Sequence, residues 1–170
     1  MKAIQKREPH SISFSPNPRE LAGFTLVELI IVIALIVVVA SLAIPVSLRA
    51  RVQSNEAAAI GNLRTVSSAA EGFRSGQNPS AYAGSFAEMA STSPPYLDSA
   101  WNNGQRQGYN YTYTASSDGE TFSASAAPRA VNVSGVNSYC VDQTAVIRRY
   151  AQGGGTVGSA TGCDASGTPI

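Results

Sequence analysis

Histidine and lysine are nearly missing from this chain of 170 residues. The single histidine, His10, and both lysines, Lys2 and Lys6, lie among the first 23 residues, so residues 24–170 contain neither. Without histidine, that part cannot build a Ser-His-Asp or Cys-His catalytic group or a histidine-ligated metal site. It also lacks paired carboxylates for acid-base catalysis. We therefore expect that the protein is not an enzyme and has no metal or other cofactor.

An excess of either charge is also missing. Residues 24–170 contain 8 arginines and 9 aspartates or glutamates, so this part is close to neutral. A strongly basic surface, which nucleic-acid binding needs, is therefore not expected. No specific nucleic-acid partner is predicted, and only weak DNA contact through scattered arginines stays open.

Cysteine is limited to two residues, Cys140 and Cys163, both beyond the apolar segment described below. An even pair in an oxidising compartment is typical of a disulfide. The bond would close a loop with 22 residues between the cysteines, a constraint worth ~3 kcal/mol in loop-entropy treatments. Two free buried thiols are the alternative, and two cysteines alone make a poor metal site.

One long apolar run stands out against this background. From Leu29 to Leu48 there are 20 residues without a formal charge. As a helix this run would be ~30 Å long, which is the thickness of a bilayer core. Glu28 precedes it, although an acid in mid-bilayer costs roughly 2.5–3.5 kcal/mol on insertion scales. Either a partner compensates Glu28 or its carboxylate is solvated at the membrane surface.

The segment before the run differs from a secretory signal peptide. A signal peptide carries its apolar core before the cleavage site, whereas here the apolar run would stay with the processed protein. Four basic residues (Lys2, Lys6, Arg7 and Arg19) precede the run and predict a cytoplasmic N-terminus. Arg49 and Arg51 follow the run and reduce this asymmetry.

The sequence Gly-Phe-Thr-Leu-Val-Glu at 23–28, followed by a long apolar helix, resembles the class III signal of type IV prepilins and type II secretion pseudopilins. The resemblance implies that a membrane peptidase cuts between Gly23 and Phe24 and then methylates the new N-terminus at Phe24. It also implies assembly roles for Thr25, Leu26, Glu28 and Pro45, with Pro45 kinking the helix. The matching residues are Gly23, Phe24, Thr25, Leu26, Glu28 and Pro45.

Elementary electrostatics gives Glu28 a role in such a protein. Cleavage after Gly23 would create an amine at Phe24, one helical turn from Glu28. That amine could pair with Glu28 of the same chain or of a neighbouring chain. Because a desolvated ion pair is costly to break by removing one partner, Glu28 would fix the register in which subunits dock.

The remaining chain predicts an α+β fold: the long N-terminal helix packs on a three- or four-stranded antiparallel sheet. Apolar residues recur at helical spacing between about 50 and 75. Aromatic and polar residues alternate over 109–114, and apolar and polar residues alternate over 120–126. Further strands are expected at 138–141 and 145–150, joined by a turn at Asp142-Gln143. The predicted segments are a leader (1–23), a membrane and filament-core helix (24–46), its amphipathic half (47–75), a connection (76–108), the sheet (109–150) and a Gly/Ser-rich, disulfide-bounded tail (151–170).

The resemblance favours a structural function: a pilin of a type IV pilus-like filament supporting adhesion, motility or DNA uptake. The expected partners are other copies of the chain, minor pilins, the prepilin peptidase and methylase, an inner-membrane assembly platform with its motor ATPase, and the bilayer before assembly. The precursor would lie in the inner membrane as a single-pass protein and the filament outside it. The alternatives are a type II secretion pseudopilin and a membrane-anchored binding module that does not polymerise.

Overall fold

The computed structural model describes residues 23–151 and 158–170. The fold class is α+β, as the sequence predicts, with a long N-terminal helix and an antiparallel sheet. The sheet has six strands, so the prediction of three or four strands was too low. The chain divides into two compact units, Met1–Ala40 and Ser41–Ile170. Residues 1–22 of the leader predicted at 1–23, and residues 152–157 of the predicted tail, lie outside the described residues.

The described residues form two α-helices and eight strands. The long helix α1 spans Leu26–Gly76 and the short helix α2 spans Phe86–Ser91, followed by a 3₁₀ helix at Ser99–Asn103. The strands are β1 (Gln105–Arg106), β2 (Tyr109–Ala115), β3 (Phe122–Pro128), β4 (Ser138–Asp142), β5 (Arg148–Tyr150), β6 (Gly158–Ser159), β7 (Gly162–Cys163) and β8 (Thr168–Pro169). The sheet order is β1-β2-β3-β4-β5-β8, and β6 pairs with β7 in a separate ribbon.

The second half of α1 carries the apolar stripe that the sequence predicts. Its apolar residues recur every three or four positions, so they share one helical face. That face is buried in the core, whereas Arg64 on the same helix is exposed. The buried members are Ala59, Leu63, Val66, Ala69, Ala70 and Phe73, and Ile60 packs against them at the edge.

The central hairpin follows from the alternation of tyrosine with polar residues. β2 and β3 pair antiparallel, with Tyr111 opposite Ala126 and Tyr113 opposite Ala124. Tyr109 and Tyr111 are buried, and Tyr113 is half-buried beside them. Side chains on a strand alternate between the two faces of the sheet, so the tyrosines share the face that meets the core.

The connection between helix and sheet supplies the rest of the core. Tyr82, Phe86 and Trp101 are buried, and the Phe86 and Trp101 ring centroids are 5.3 Å apart. Tyr96 is exposed and covers the backbone of α1, where a Cβ at Gly72 would lie 3.2 Å from its ring. The short helix α2 lies within this connection and buries Phe86 and Met89.

The fourth predicted strand begins later than expected. The sequence favoured a strand over 145–150, but β5 starts at Arg148. Asp142 Oδ1 accepts a hydrogen bond from the backbone N–H of Thr144 at 2.9 Å, which closes an Asx turn. Ala145 then has a φ of 58°, a left-handed conformation that cannot continue a strand.

The end of the chain adds strands that the sequence did not indicate. Residues 158–163 form the β6-β7 ribbon, with Gly158 opposite Cys163. β8 then pairs with β5, with Arg149 opposite Thr168. The sheet is larger than predicted because β1 and β8 extend it at its two edges, whereas β6 and β7 form a separate ribbon.

Candidate processing and assembly site

The Gly23–Phe24 peptide bond lies in an accessible segment ahead of the helix. Residues 23–25 have no regular secondary structure, and α1 begins at Leu26. A Cβ placed on Gly23 would meet no heavy atom within 4 Å, and the Phe24 side chain is 85% exposed. A peptidase needs an extended, uncovered segment at the bond that it cuts. The local structure therefore provides what cleavage between Gly23 and Phe24 would require.

Thr25 and Glu28 form a capping box at the start of α1. The Thr25 hydroxyl oxygen accepts from the backbone N–H of Glu28 at 3.2 Å, and Glu28 Oε2 accepts from the backbone N–H of Thr25 at 2.9 Å. The first N–H groups of a helix have no partner within the helix, and this reciprocal arrangement satisfies two of them. The Thr25 hydroxyl also donates to Glu28 Oε2 at 2.9 Å.

The capping box gives Glu28 a second role that the sequence interpretation did not assign. Thr25 and Glu28 were singled out for their place in the signal, although the spacing Thr-x-x-Glu before an apolar run is itself a capping signature. Both hydrogen bonds from Thr25 go to Oε2. Within residues 23–151 and 158–170, Glu28 Oε1 accepts no hydrogen bond. One carboxylate oxygen thus remains available to another donor, and pairing of Glu28 with a Phe24 amine stays a prediction.

The helix that follows exposes an unusual amount of apolar side chain. Among its large apolar residues between Leu26 and Leu48, every one is at least 46% exposed. Soluble monomers rarely expose a continuous apolar patch larger than a few hundred Å². By length and composition this helix could cross a membrane, so it is compatible with a single-pass anchor. Such a surface needs an apolar environment, either lipid or protein.

Pro45 lies inside this segment of α1. The helix assignment runs through Pro45 without a break, although the ring removes one backbone donor and crowds the preceding turn. Pro45 therefore lies inside α1, and its helix-kinking role stays a prediction. Leu42, Ile44, Val46 and Leu48 around it are all more than half exposed.

Cys140 and Cys163 form a disulfide, as the sequence predicts. Cys140 is fully buried in β4, and the Tyr150 ring packs against the pair. The bond ties the β6-β7 ribbon to the sheet, where the Ser123 and Thr121 hydroxyls donate to the carbonyls of Ser159 and Ala160, each at 2.7 Å. The disulfide thus holds the end of the chain against β3 and β4.

Asp142 connects the disulfide to the sheet electrostatically. Its Oδ2 accepts from the backbone N–H of Cys163 at 3.1 Å, and its Oδ1 accepts from the Thr144 hydroxyl at 2.6 Å. Burial raises the pKa of Asp142, but these hydrogen bonds to Thr144 and Cys163 outweigh burial and leave the pKa below its ordinary value. The carboxylate is therefore charged in the folded protein and serves as an acceptor for the loop.

The structure gathers no metal-binding group in the part of the chain that it describes. Among residues 23–151 and 158–170, no three His, Cys, Asp or Glu side chains lie close enough together to hold a metal ion. The site residues named from the sequence fall into three places: Gly23 to Glu28 at the start of α1, Pro45 further along the same helix, and the disulfide between β4 and β7.

Comparison of the chain with protein-family models finds no match. The curated proteins and the solved structures likewise give no match.

Proposed function

We propose that the chain is a subunit of a type IV pilus-like filament. It is made as an inner-membrane precursor, cut between Gly23 and Phe24, methylated at Phe24 and polymerised through the helix of residues 24–75. The observation that carries the proposal is the start of α1. An accessible Gly23–Phe24 bond directly precedes an exposed apolar helix with one acid, Glu28, at its head.

The exposed apolar surface supports a protein that exists in two environments. In the precursor the surface from Leu26 to Leu48 contacts lipid, and in the filament it contacts the same helix of neighbouring subunits. Burial at ~25 cal/mol per Å² over such a helix can hold a fibre together without covalent links. Because lipid and protein are both apolar, moving the helix out of the bilayer needs an external motor, together with the assembly platform and minor pilins.

Two other functions remain as competitors. In a type II secretion pseudopilin, the same helix would serve a short piston-like filament, and the disulfide at Cys140–Cys163 favours the pilin over it. In a membrane-anchored binding module, the helix would only span the bilayer, and Glu28 would only cap it. The capping box makes this last alternative specific enough to test.

The test compares two glutamates in similar capping positions. Ser85 caps α2 as Thr25 caps α1: its hydroxyl accepts from the Glu88 N–H at 3.3 Å, while Glu88 Oε2 accepts from the Gly84 N–H at 2.6 Å. We expect Glu28→Gln to abolish surface filaments while the chain still inserts into the inner membrane. Glu88→Gln should leave filaments intact.

Electron microscopy of surface filaments and membrane fractionation read out both variants. Filaments of unchanged number and length in Glu28→Gln would show that Glu28 acts only as a cap. A parent chain that stays in the membrane and never forms filaments would favour the binding module.

A further inference from the structure

The connection between β3 and β4, residues 129–137, exposes two valines at a tip whose backbone is hydrogen-bonded. Val133 is 70% exposed and Val131 is 44% exposed. The backbone N–H of Val133 donates to the Ala130 carbonyl at 3.1 Å, and the N–H of Asn132 donates to the Gly135 carbonyl at 2.8 Å. We call residues 129–137 the valine loop. Its apolar side chains point outward even though its backbone is hydrogen-bonded.

The valine loop is fastened to α1. Glu56 Oε1 accepts from the backbone N–H of Val136 at 2.8 Å and from that of Asn137 at 3.0 Å. Asn55 Nδ2 donates to the Ser134 carbonyl at 2.9 Å. These contacts join residues about 80 positions apart in sequence, and they fix the loop at one height along the helix. The exposure of Val131 and Val133 is therefore part of a defined surface.

An apolar groove of about 520 Å³ separates the loop from the helix. Leu48 and Val52 line it from α1, and Val133 and Val136 line it from the loop. Glu56 also borders the groove, but its carboxylate is engaged by the loop. All these residues belong to the unit Ser41–Ile170. Leu48 is 58% exposed, so the groove is open and its apolar walls lack a partner in the described chain.

The groove lies beside α1 at the point where the long apolar run of the helix ends. The charge-free run of 20 residues ends at Leu48, and such a run spans the ~30 Å apolar core of a bilayer. Arg49 and Arg51 follow at once, where long cationic side chains reach the headgroups. The groove lies at this boundary because Leu48 and Arg49 both line it.

Charge at the boundary matches a phosphate-rich surface. In residues 23–151 and 158–170 the ion pairs are Arg74–Glu120 and Arg106–Asp98. Arg49, Arg51 and Arg129 take part in neither, and all three are exposed. Anionic lipid surfaces attract arginines at this level. Valines flanked by unpaired arginines therefore suit a lipid interface.

We propose that the valine loop is a second membrane contact of the precursor. Val131 and Val133 enter the acyl-chain boundary beside Leu48, and Arg49 and Arg129 contact the phosphates of anionic phospholipid. The inference rests on the membrane-held stage of the proposed function. It adds that the globular domain is oriented on the bilayer before assembly, because the loop and the end of the span touch the same leaflet.

Tryptophan fluorescence in the full chain tests the contact. Trp101 is the single native tryptophan and is 3% exposed, so it gives a low background. The variants V37W, V133W and V146W are each reconstituted in vesicles of phosphatidylethanolamine and phosphatidylglycerol, with and without bromine on the acyl chains. Val37 lies in the span, and Val146 is an exposed valine in the β4-β5 connection.

We expect bromine to quench V37W and V133W and to leave V146W unchanged. Adding Arg129→Gln to V133W, or using phosphatidylcholine alone, should reduce the quenching of V133W while that of V37W stays constant. Equal quenching of V133W with and without Arg129→Gln would overturn the role of anionic lipid.

The outcomes separate this inference from the proposed function. Quenching of V37W without quenching of V133W would overturn the loop contact and leave the anchor standing. Quenching of neither would contradict both. An unquenched V133W whose emission is blue-shifted only in purified, lipid-free filaments would overturn the lipid contact and assign the groove to a second copy of the chain.

Discussion

The two halves of α1 use apolar side chains in opposite ways. Between Leu26 and Leu48 the large apolar residues surround the helix and are 46–72% exposed. Between Ala59 and Phe73 the buried apolar residues occupy one face and are at most 7% exposed, with Ile60 partly buried at the edge. A one-sided stripe needs only a sheet to cover it, whereas a helix that is apolar on all sides needs an apolar surrounding. The first half therefore needs an apolar environment, such as lipid or another protein, whereas the second half is covered by its own domain.

Truncation of a core leucine should show the largest difference between the halves. Leu63 is fully buried, so Leu63→Ala leaves a cavity and should reduce the free energy of unfolding by about 2–5 kcal/mol. Leu42 is 71% exposed on the same helix, and Leu42→Ala should change the free energy of unfolding by less than about 0.5 kcal/mol. Denaturant unfolding of the sheet domain, followed by Trp101 fluorescence in detergent, measures both. Equal losses in the two variants would contradict the division of α1.

Removal of the disulfide should affect only the sheet domain. The double variant Cys140→Ser/Cys163→Ser should lose about 3 kcal/mol of unfolding free energy, because the unfolded chain regains the freedom that the bond removes. The helical signal of the apolar half should stay constant in the same detergent. Denaturant unfolding with and without a reductant measures the loss in the parent chain, and an unchanged midpoint after full reduction would show that the sheet holds the tail without the bond.

Substitution of Gly135 in the valine loop and of Gly61 on α1 should change stability in opposite directions. A Cβ at Gly135 would clash with the hydroxyl of the buried Tyr109, which donates to the Asn137 carbonyl. Gly135→Ala should therefore cost about 1–3 kcal/mol through overpacking. Gly61 lies on an exposed position of α1 with no heavy atom within 4 Å of its Cβ position, so Gly61→Ala should stabilise the helix by about 0.5–1 kcal/mol. Thermal unfolding separates the two, and a stable Gly135→Ala would mean that the valine loop can shift.

Alkaline pH should unfold the sheet domain through its buried tyrosines. Burial, with the nearby Glu56 carboxylate, raises the pKa of Tyr139 to about 12, against about 10 in an unfolded chain. Because the folded state favours the neutral phenol, this contribution is complete below pH 10 and is lost as the pH rises from 10 toward 12. The unfolding free energy of the parent chain should fall across that range. The unfolding free energy of the Tyr139→Phe variant should fall less steeply. Parallel curves for the two proteins would exclude Tyr139 as the cause.

Much of the fold could be predicted because its patterns are periodic. The stripe ending at Phe73 repeats at helical spacing, and the Tyr109 to Tyr113 alternation repeats at strand spacing. β1 and β8 have two residues each, too few to show any period. The start of β5 was misplaced because the Asx turn at Asp142 and the left-handed Ala145 interrupt an otherwise strand-like sequence.

Only part of the candidate processing and assembly site could be predicted from the sequence. The Thr25-x-x-Glu28 spacing is sufficient to predict the capping box, but both residues were assigned only to the signal and to assembly. The contact of Glu56 with Val136 and Asn137 joins positions about 80 residues apart. A single sequence holds no local pattern for such a contact, since it depends on how the sheet returns to the helix.

Intact-mass measurement with N-terminal peptide sequencing of sheared surface filaments tests the central claim most directly. We predict a chain that begins at methylated Phe24 and carries the Cys140–Cys163 bond, which makes it two hydrogens lighter than the reduced form. A chain that retains residues 1–23 and is absent from any filament would contradict it. Glu28 would then be a helix cap at the head of an ordinary membrane anchor.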